Sequence, residues 1–198
     1  MAKRVLLLGH SYVNYLNDFG WRDYSRDRRG HFVGLSHEFM SYPGRDFGYF
    51  TSENLLNPVR EYNPHIVVVI FGGNSITTDR TNTQNKRDAK RFYQNLRLVI
   101  NPNCLVLAVQ VEKRYYSHVN LYMCPEPEEY NRKRNILNCY FQRQLKRQGL
   151  VDHVLMLGNE ILSKELHYRD DGVHLNRRGL DTYKRIIQNG IDYALRLR

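Results

Sequence analysis

Long apolar runs are missing from this 198-residue sequence. The longest, residues 66–71, is far short of the about 20 residues a membrane-spanning helix needs. Lys3 and Arg4 precede an apolar stretch at residues 5–8 that is too short for a signal peptide, and no small-residue cleavage site follows. Cysteine is scarce: Cys104, Cys124 and Cys139 are odd in number and lack metal-type spacing. They read as free thiols of a reducing compartment, which makes a zinc site or a disulfide framework unexpected and an intracellular, cytoplasmic location the expectation. There is no repeat and no low-complexity tract. With 41% apolar residues, residues 1–198 are expected to form one domain with a substantial core.

Acidic charge is also short, at 20 Asp and Glu against 30 Lys and Arg, a formal net charge of +10. The basic residues cluster at 22–29, 86–97, 132–147 and 177–198. Two readings stand. Such a surface draws in nucleic acid or an anionic membrane surface by steering and counterion release, or it only solvates helix faces.

Against that background, short apolar runs at residues 5–8, 66–71, 105–109 and 153–157 have the character of strands buried on both faces, the second of them rich in β-branched valine. A weaker strand is expected at 39–42. Helical spacing relates Ala89, Phe92, Leu96 and Val99. It recurs through Tyr130, Leu137, Phe141 and Leu145, and again through Leu180, Tyr183, Ile187, Ile191 and Ala194. Residues 52–62 read as helix, kinked or restarted at Pro58. Strands alternating with helices predict an α/β layer architecture with a mainly parallel sheet. Ligands bind such sheets at the carboxyl ends of the strands. Residues 22–30 and 115–127 read as long loops placed to rim or cover that edge.

Two chemically suggestive residues fall at that edge. Ser11 directly follows the first strand, and Asn74 follows the strand at 66–71. Late in the chain, Asp171 and His174 stand three apart, a spacing that lets the carboxylate hold one imidazole nitrogen while the other acts as a base. Gly44, after Pro43, and the Asn74 amide are candidate oxyanion donors together with the Ser11 N–H. Each residue also has an ordinary reading. Ser11 suits a helix cap, Pro43-Gly44 and Gly72-Gly73-Asn74 suit turns, Asp171-Gly172 suits another turn under a packed His174, and Asn176 suits the N-cap of the last helix.

Gly9-His10-Ser11-Tyr12, Gly44, Gly72-Gly73-Asn74-Ser75 and Asp171-Gly172-Val173-His174 resemble the conserved blocks of the SGNH, or GDSL-type, esterase/lipase family. The resemblance implies a three-layer α/β/α sandwich with a flavodoxin-like, mainly parallel five-stranded sheet. It implies Ser11 as nucleophile, His174 and Asp171 completing a triad, Ser11, Gly44 and Asn74 as the oxyanion hole, and no metal or organic cofactor. Two positions depart from the pattern: His10 stands where the family usually has Asp, and Ser75 where it often has Asp. Residues 6–13, 71–75 and 171–176 also resemble esterase domains encoded by the first open reading frame of some animal non-LTR retrotransposons.

Three functions follow as expectations. One is a serine ester hydrolase acting on a small acyl ester, losing activity in acid as its imidazole base takes up a proton. Another is a nucleic-acid-binding module with a weak or vestigial hydrolase site, served by the basic helices and fifteen tyrosines. In the third, the basic surface brings the site to an anionic membrane and a lipid ester.

Overall fold

A computed structural model describes residues 2–115, 124–157 and 163–197. Its centre is a sheet in which every residue of β4 (Ile66–Ile70) and β5 (Leu105–Val109) is buried. β1 (Lys3–Gly9) is buried from Val5 onward. Alternate side chains serve opposite faces, as the two-residue period of a strand requires. Leu6, Leu8, Val67, Val69, Val106 and Ala108 point into one apolar cluster. Val5, Leu7, Val68, Ile70, Leu107 and Val109 point into the other. An uninterrupted apolar run is the sequence consequence of having helices on both sides.

The first cluster is closed by α2 (Asn57–Tyr62), α3 (Asn82–Val99) and α4 (Pro127–Tyr140), through Val59, Phe92, Tyr93 and Leu137. The second is closed by α1 (Ser11–Asn17) and α6 (Arg177–Arg196), which follows the short α5 (Lys164–His167), through Val13, Leu16, Tyr183, Ile187 and Ile191. The result is an α/β/α sandwich. α3 begins at a capping box: the Thr81 hydroxyl accepts from the Gln84 N–H, and the Gln84 side chain accepts from the Thr81 N–H. Pro58 lies in the first turn of α2, which restarts the chain after a 3-10 turn over Glu53–Leu56. α4 runs on into a π-helical stretch over Phe141–Leu145.

The sheet has six strands rather than five. Its order is β2-β3-β1-β4-β5-β6, with β2 at Tyr24–Arg26, β3 at Phe32–Ser41 and β6 at His153–Leu155. All neighbours are parallel except β2 (Tyr24–Arg26), which pairs antiparallel with β3. Without β2 this is the flavodoxin order. The extra strand lies within residues 22–30, where a loop was expected, and β3 begins seven residues before its expected start. β2 is mostly exposed, and β3 is mostly half-buried or buried. They lack the apolar run that marks the central strands, and what specifies them is cross-strand pairing, β3 with β1 and β2 with β3. The hairpin is anchored to α6, where Asp192 accepts from the Ser25 hydroxyl (2.6 Å) and pairs with Arg22 (3.1 Å).

The basic segments are only partly solvated. Arg97 donates to the carbonyls of Cys104 and Leu150 and pairs with Asp152 (2.8 Å). Lys133 is buried against the carbonyls of Thr77 and Arg80, and buried Arg134 donates to the Val111 carbonyl (2.7 Å). Several cations in residues 86–97 and 132–147 therefore tie loops to helices. Cys104, Cys124 and Cys139 form no disulfide. No helix among the described residues is long and apolar enough to cross a membrane.

Candidate active site

Strand order reverses direction at β1 and β4, so the connections leaving their carboxyl ends go to opposite faces and open a crevice. Ser11 and Asn74 stand at that opening. Ser11 is the first residue of α1. His10 occupies the capping position in extended backbone, and no side-chain bond caps the helix. The expected alternative role of Ser11 as a cap is therefore not the one it takes. As the first helical residue, Ser11 has an N–H with no partner within the helix.

After β4 the chain turns through Gly72, whose φ of +124° is open to glycine at little cost, into a short 3-10 turn over Gly73–Ser75. The turn carries the Asn74 side chain to the site. One Asn74 amide N–H donates to the Arg45 carbonyl at 3.2 Å, which fixes the amide plane. Ser75 is buried, and its hydroxyl accepts from the Phe47 N–H at 3.3 Å, so it supports the neighbouring loop.

The third contributor arrives from the far end of the sequence. A tight turn through Gly172 places Asp171 below His174. Asp171 Oδ1 accepts from the N–H groups of Val173 and His174, both at 2.8 Å, and Oδ2 lies 2.8 Å from His174 Nδ1. A carboxylate only accepts, so Nδ1 carries the proton and Nε2 bears the lone pair. Burial raises the Asp171 pKa, but the hydrogen bonds from the His174 N–H and imidazole and from the Val173 N–H outweigh it and hold the carboxyl below its ordinary value. Asn176 accepts from the Gly179 N–H at 2.9 Å and caps α6, which stiffens the loop, as expected. The turn expected at Asp171-Gly172 is present, and it is what brings the carboxylate to the ring.

Ser11, Asn74 and His174 line one small cavity, joined by His10, Tyr12 and Arg114. Asp171 stands behind His174. Gly44 is not among the lining residues. Its φ of +71° serves a turn, and a Cβ there would meet nothing within 4 Å, so the glycine is needed for its backbone angle and not for close approach. The turn carries the next residue, Arg45, to the Asn74 amide. Residues 22–30 contribute nothing to the lining. Of the expected loop at 115–127, residues 116–123 lie outside the described residues.

Pattern reading missed the wall formed by Glu112, Lys113 and Arg114, with the Tyr130 ring against Arg114. Their signal was positional, since they follow the carboxyl end of β5 as Ser11 follows β1. No cluster of three or more His, Cys, Asp or Glu side chains suited to a metal occurs among the described residues.

His10 is buried, with its Nδ1 unpartnered among the described residues. Burial, then the Arg114 guanidinium and His174, push its pKa down to about 3. The folded protein thus holds a neutral imidazole where an unfolded chain takes up a proton below about pH 6.5. The unfolded state binds the extra proton, so His10 costs stability as pH falls from about 6.5 towards 3, by roughly several kcal/mol at the acid end. His10→Gln removes this contribution. Urea midpoints measured between pH 7 and pH 4 are expected to fall less steeply in the variant than in the wild type; equal slopes refute the assignment.

No protein-family model matches the chain, and no curated protein matches it in sequence. Its fold does match solved structures. A family 3 carbohydrate esterase from Clostridium thermocellum aligns with a TM-score of 0.67 at 16% identity, over 98% of this chain and 99% of that one. A GDSL-like lipase from Bacteroides thetaiotaomicron aligns at 0.63 and 15%, over 97% and 89%. A lipase/acylhydrolase from Enterococcus faecalis aligns at 0.62 and 14%, over 97% and 96%. These structures lend nothing to the resemblance with retrotransposon esterase domains. At such identities the likeness is one of architecture, and the chain has the α/β fold, with a mostly parallel sheet, that these esterases and acylhydrolases share.

Proposed function

We propose that the protein is a serine ester hydrolase acting on a small acyl ester. The observation that carries this reading is the meeting of Ser11, Asn74 and His174 at one cavity, with Asp171 hydrogen-bonded to the far side of the imidazole. A serine hydroxyl is a weak nucleophile until a base takes its proton, and His174 Nε2 is the nitrogen left for that task. Ser11 Oγ attacks the acyl carbon while its proton passes to His174. The Asp171 carboxylate holds the ring and stabilises the imidazolium. The developing oxyanion is met by the Ser11 N–H and the Asn74 amide; the family resemblance assigns a third donor to Gly44, which stands outside the cavity lining. Collapse expels the alcohol, which takes the proton from His174. Water then attacks the acyl-serine with His174 again as base, releasing the acid and restoring the Ser11 hydroxyl.

A fluorophosphonate probe tests nucleophile activation without a choice of substrate. Wild type is expected to label and to hydrolyse p-nitrophenyl acetate. Ser11→Ala is expected to abolish labelling, and Asp171→Asn to lower kcat by orders of magnitude, because the amide favours the wrong imidazole tautomer. Labelling that survives Ser11→Ala removes Ser11 as the nucleophile.

A second reading, contact with single-stranded nucleic acid, is favoured by the tip of the β2–β3 hairpin. Tyr24 and Phe32 are 52% and 66% exposed, and their rings stand 5.6 Å apart on one face. The Arg26 guanidinium lies 4.1 Å over the Phe32 ring, and Arg28 and Arg29 are exposed in the turn between the strands. Exposed aromatic faces beside arginines are the elements that stack bases and hold phosphates. Binding of a labelled oligonucleotide is expected to weaken with salt and with the double substitution Phe32→Ala and Arg29→Ala, and to be indifferent to Ser11→Ala. No binding at low salt ends this reading.

A further inference from the structure

The cavity beside Ser11 is lined by more cations than a neutral ester calls for. Arg114 is only 9% exposed. Its Nη1 donates to Cys124 Sγ at 3.1 Å, its Nη2 donates to the Gly73 carbonyl at 3.3 Å, and its guanidinium carbon lies 4.3 Å over the Tyr130 ring. These contacts fix the guanidinium plane and use two of its five N–H groups. Lys113 joins it in the cavity wall. Directly behind, buried Arg134 donates to the Val111 carbonyl.

The one acid of this wall among the described residues is Glu112. Burial raises its pKa, against the opposing influence of Tyr183, Arg134 and Arg114. Among the described residues, two buried guanidiniums and a lysine thus stand around a single carboxyl group. A buried charge left without a counter-charge is costly, and the cost falls when an anion enters. A flat guanidinium held by an aromatic face suits a carboxylate, whose two oxygens match its paired donors.

We propose that this cavity takes an ester carrying a negative charge, a carboxylate within several bonds of the scissile carbonyl, and that Arg114 receives it. The inference rests on the serine hydrolase reading above and names its substrate class. The same guanidinium has a second possible duty. By holding the Gly73 carbonyl it steadies the turn that carries Asn74, and that duty makes no distinction between charged and neutral esters.

The test compares matched pairs of esters on the full chain. Mono-p-nitrophenyl adipate and its methyl ester place or remove a charge on the acyl side. 4-Acetoxybenzoate and its methyl ester do so on the alcohol side. About 0.5 M salt screens the general attraction of a +10 protein while leaving a buried contact largely intact. After subtraction of the uncatalysed rates, wild type is expected to favour the charged member of at least one pair by tenfold or more in kcat/KM, and the favoured pair tells which side of the ester meets Arg114. Arg114→Met is expected to bring that ratio close to one, whatever it does to the absolute rate. Arg114→Lys is expected to retain part of the preference. A wild-type ratio at or below one in both pairs overturns the inference. So does an Arg114→Met enzyme in which both members of the favoured pair slow by the same factor, which assigns the guanidinium to the Gly73 turn alone. A protein that neither labels with fluorophosphonate nor turns over a neutral ester fails at the earlier step, and the hydrolase reading falls first.

Discussion

One buried hydrogen bond holds the candidate site in register. The Tyr12 hydroxyl, one residue after Ser11, donates to the Val173 carbonyl, one residue before His174, at 2.8 Å. It joins points 161 residues apart in sequence. The Tyr12 ring also stands edge-on to His174 at 6.5 Å and packs on Tyr183 of α6 at 5.8 Å, while Tyr15 meets the other side of the site with its ring 6.3 Å from His174. A buried carbonyl deprived of its donor costs about 1–3 kcal/mol. The geometric consequence is larger, since a serine and an imidazole on separate elements act together only when held within fractions of an ångström.

The sheet makes that bond possible. Strands buried on both faces are rigid, and the reversal of strand order at β1 and β4 opens a crevice with helices on either side. Chain leaving β1, β4 and β5 delivers Ser11, then Gly73 and Asn74, then Glu112 to Arg114 to the same edge. The Asp171–His174 loop reaches that edge from α6, which packs on the same face as α1. Three strand ends and one loop thus converge although no two are neighbours in sequence.

Burial governs the electrostatics there. It keeps His10 neutral, raises Glu112 and withdraws Arg114 and Arg134 from solvent. Asp171 is the contrasting case, because hydrogen bonds to its ionised form overcome the desolvation penalty. A neutral imidazole beside the serine adds no negative charge to the cavity, whose described lining sets Arg114 and Lys113 against Glu112. This excess underlies the expected preference for anionic esters.

The amino-acid sequence alone determined the central strands, because a strand covered on both faces must be apolar throughout, and residues 66–70 and 105–109 are. It determined the helices by their apolar periodicity, and it determined the Asp171–His174 pair, because a three-residue spacing inside a tight turn leaves the carboxylate few other places to go. The placement of Ser11 and Asn74 at one sheet edge was legible for the same local reason, as each follows a recognisable strand. Tertiary structure alone decided the rest. The β2–β3 hairpin is half-exposed and is specified by cross-strand pairing and by Asp192 on a distant helix. Arg97, Lys133 and Arg134 read as solvated charge until the carbonyls they bind are brought to them from elsewhere in the chain. Arg114 belongs to the cavity only because Gly73 and Tyr130 close around it. Local pattern fixes what a segment is, whereas the desolvation and pairing of a polar group depend on neighbours that only the folded chain supplies.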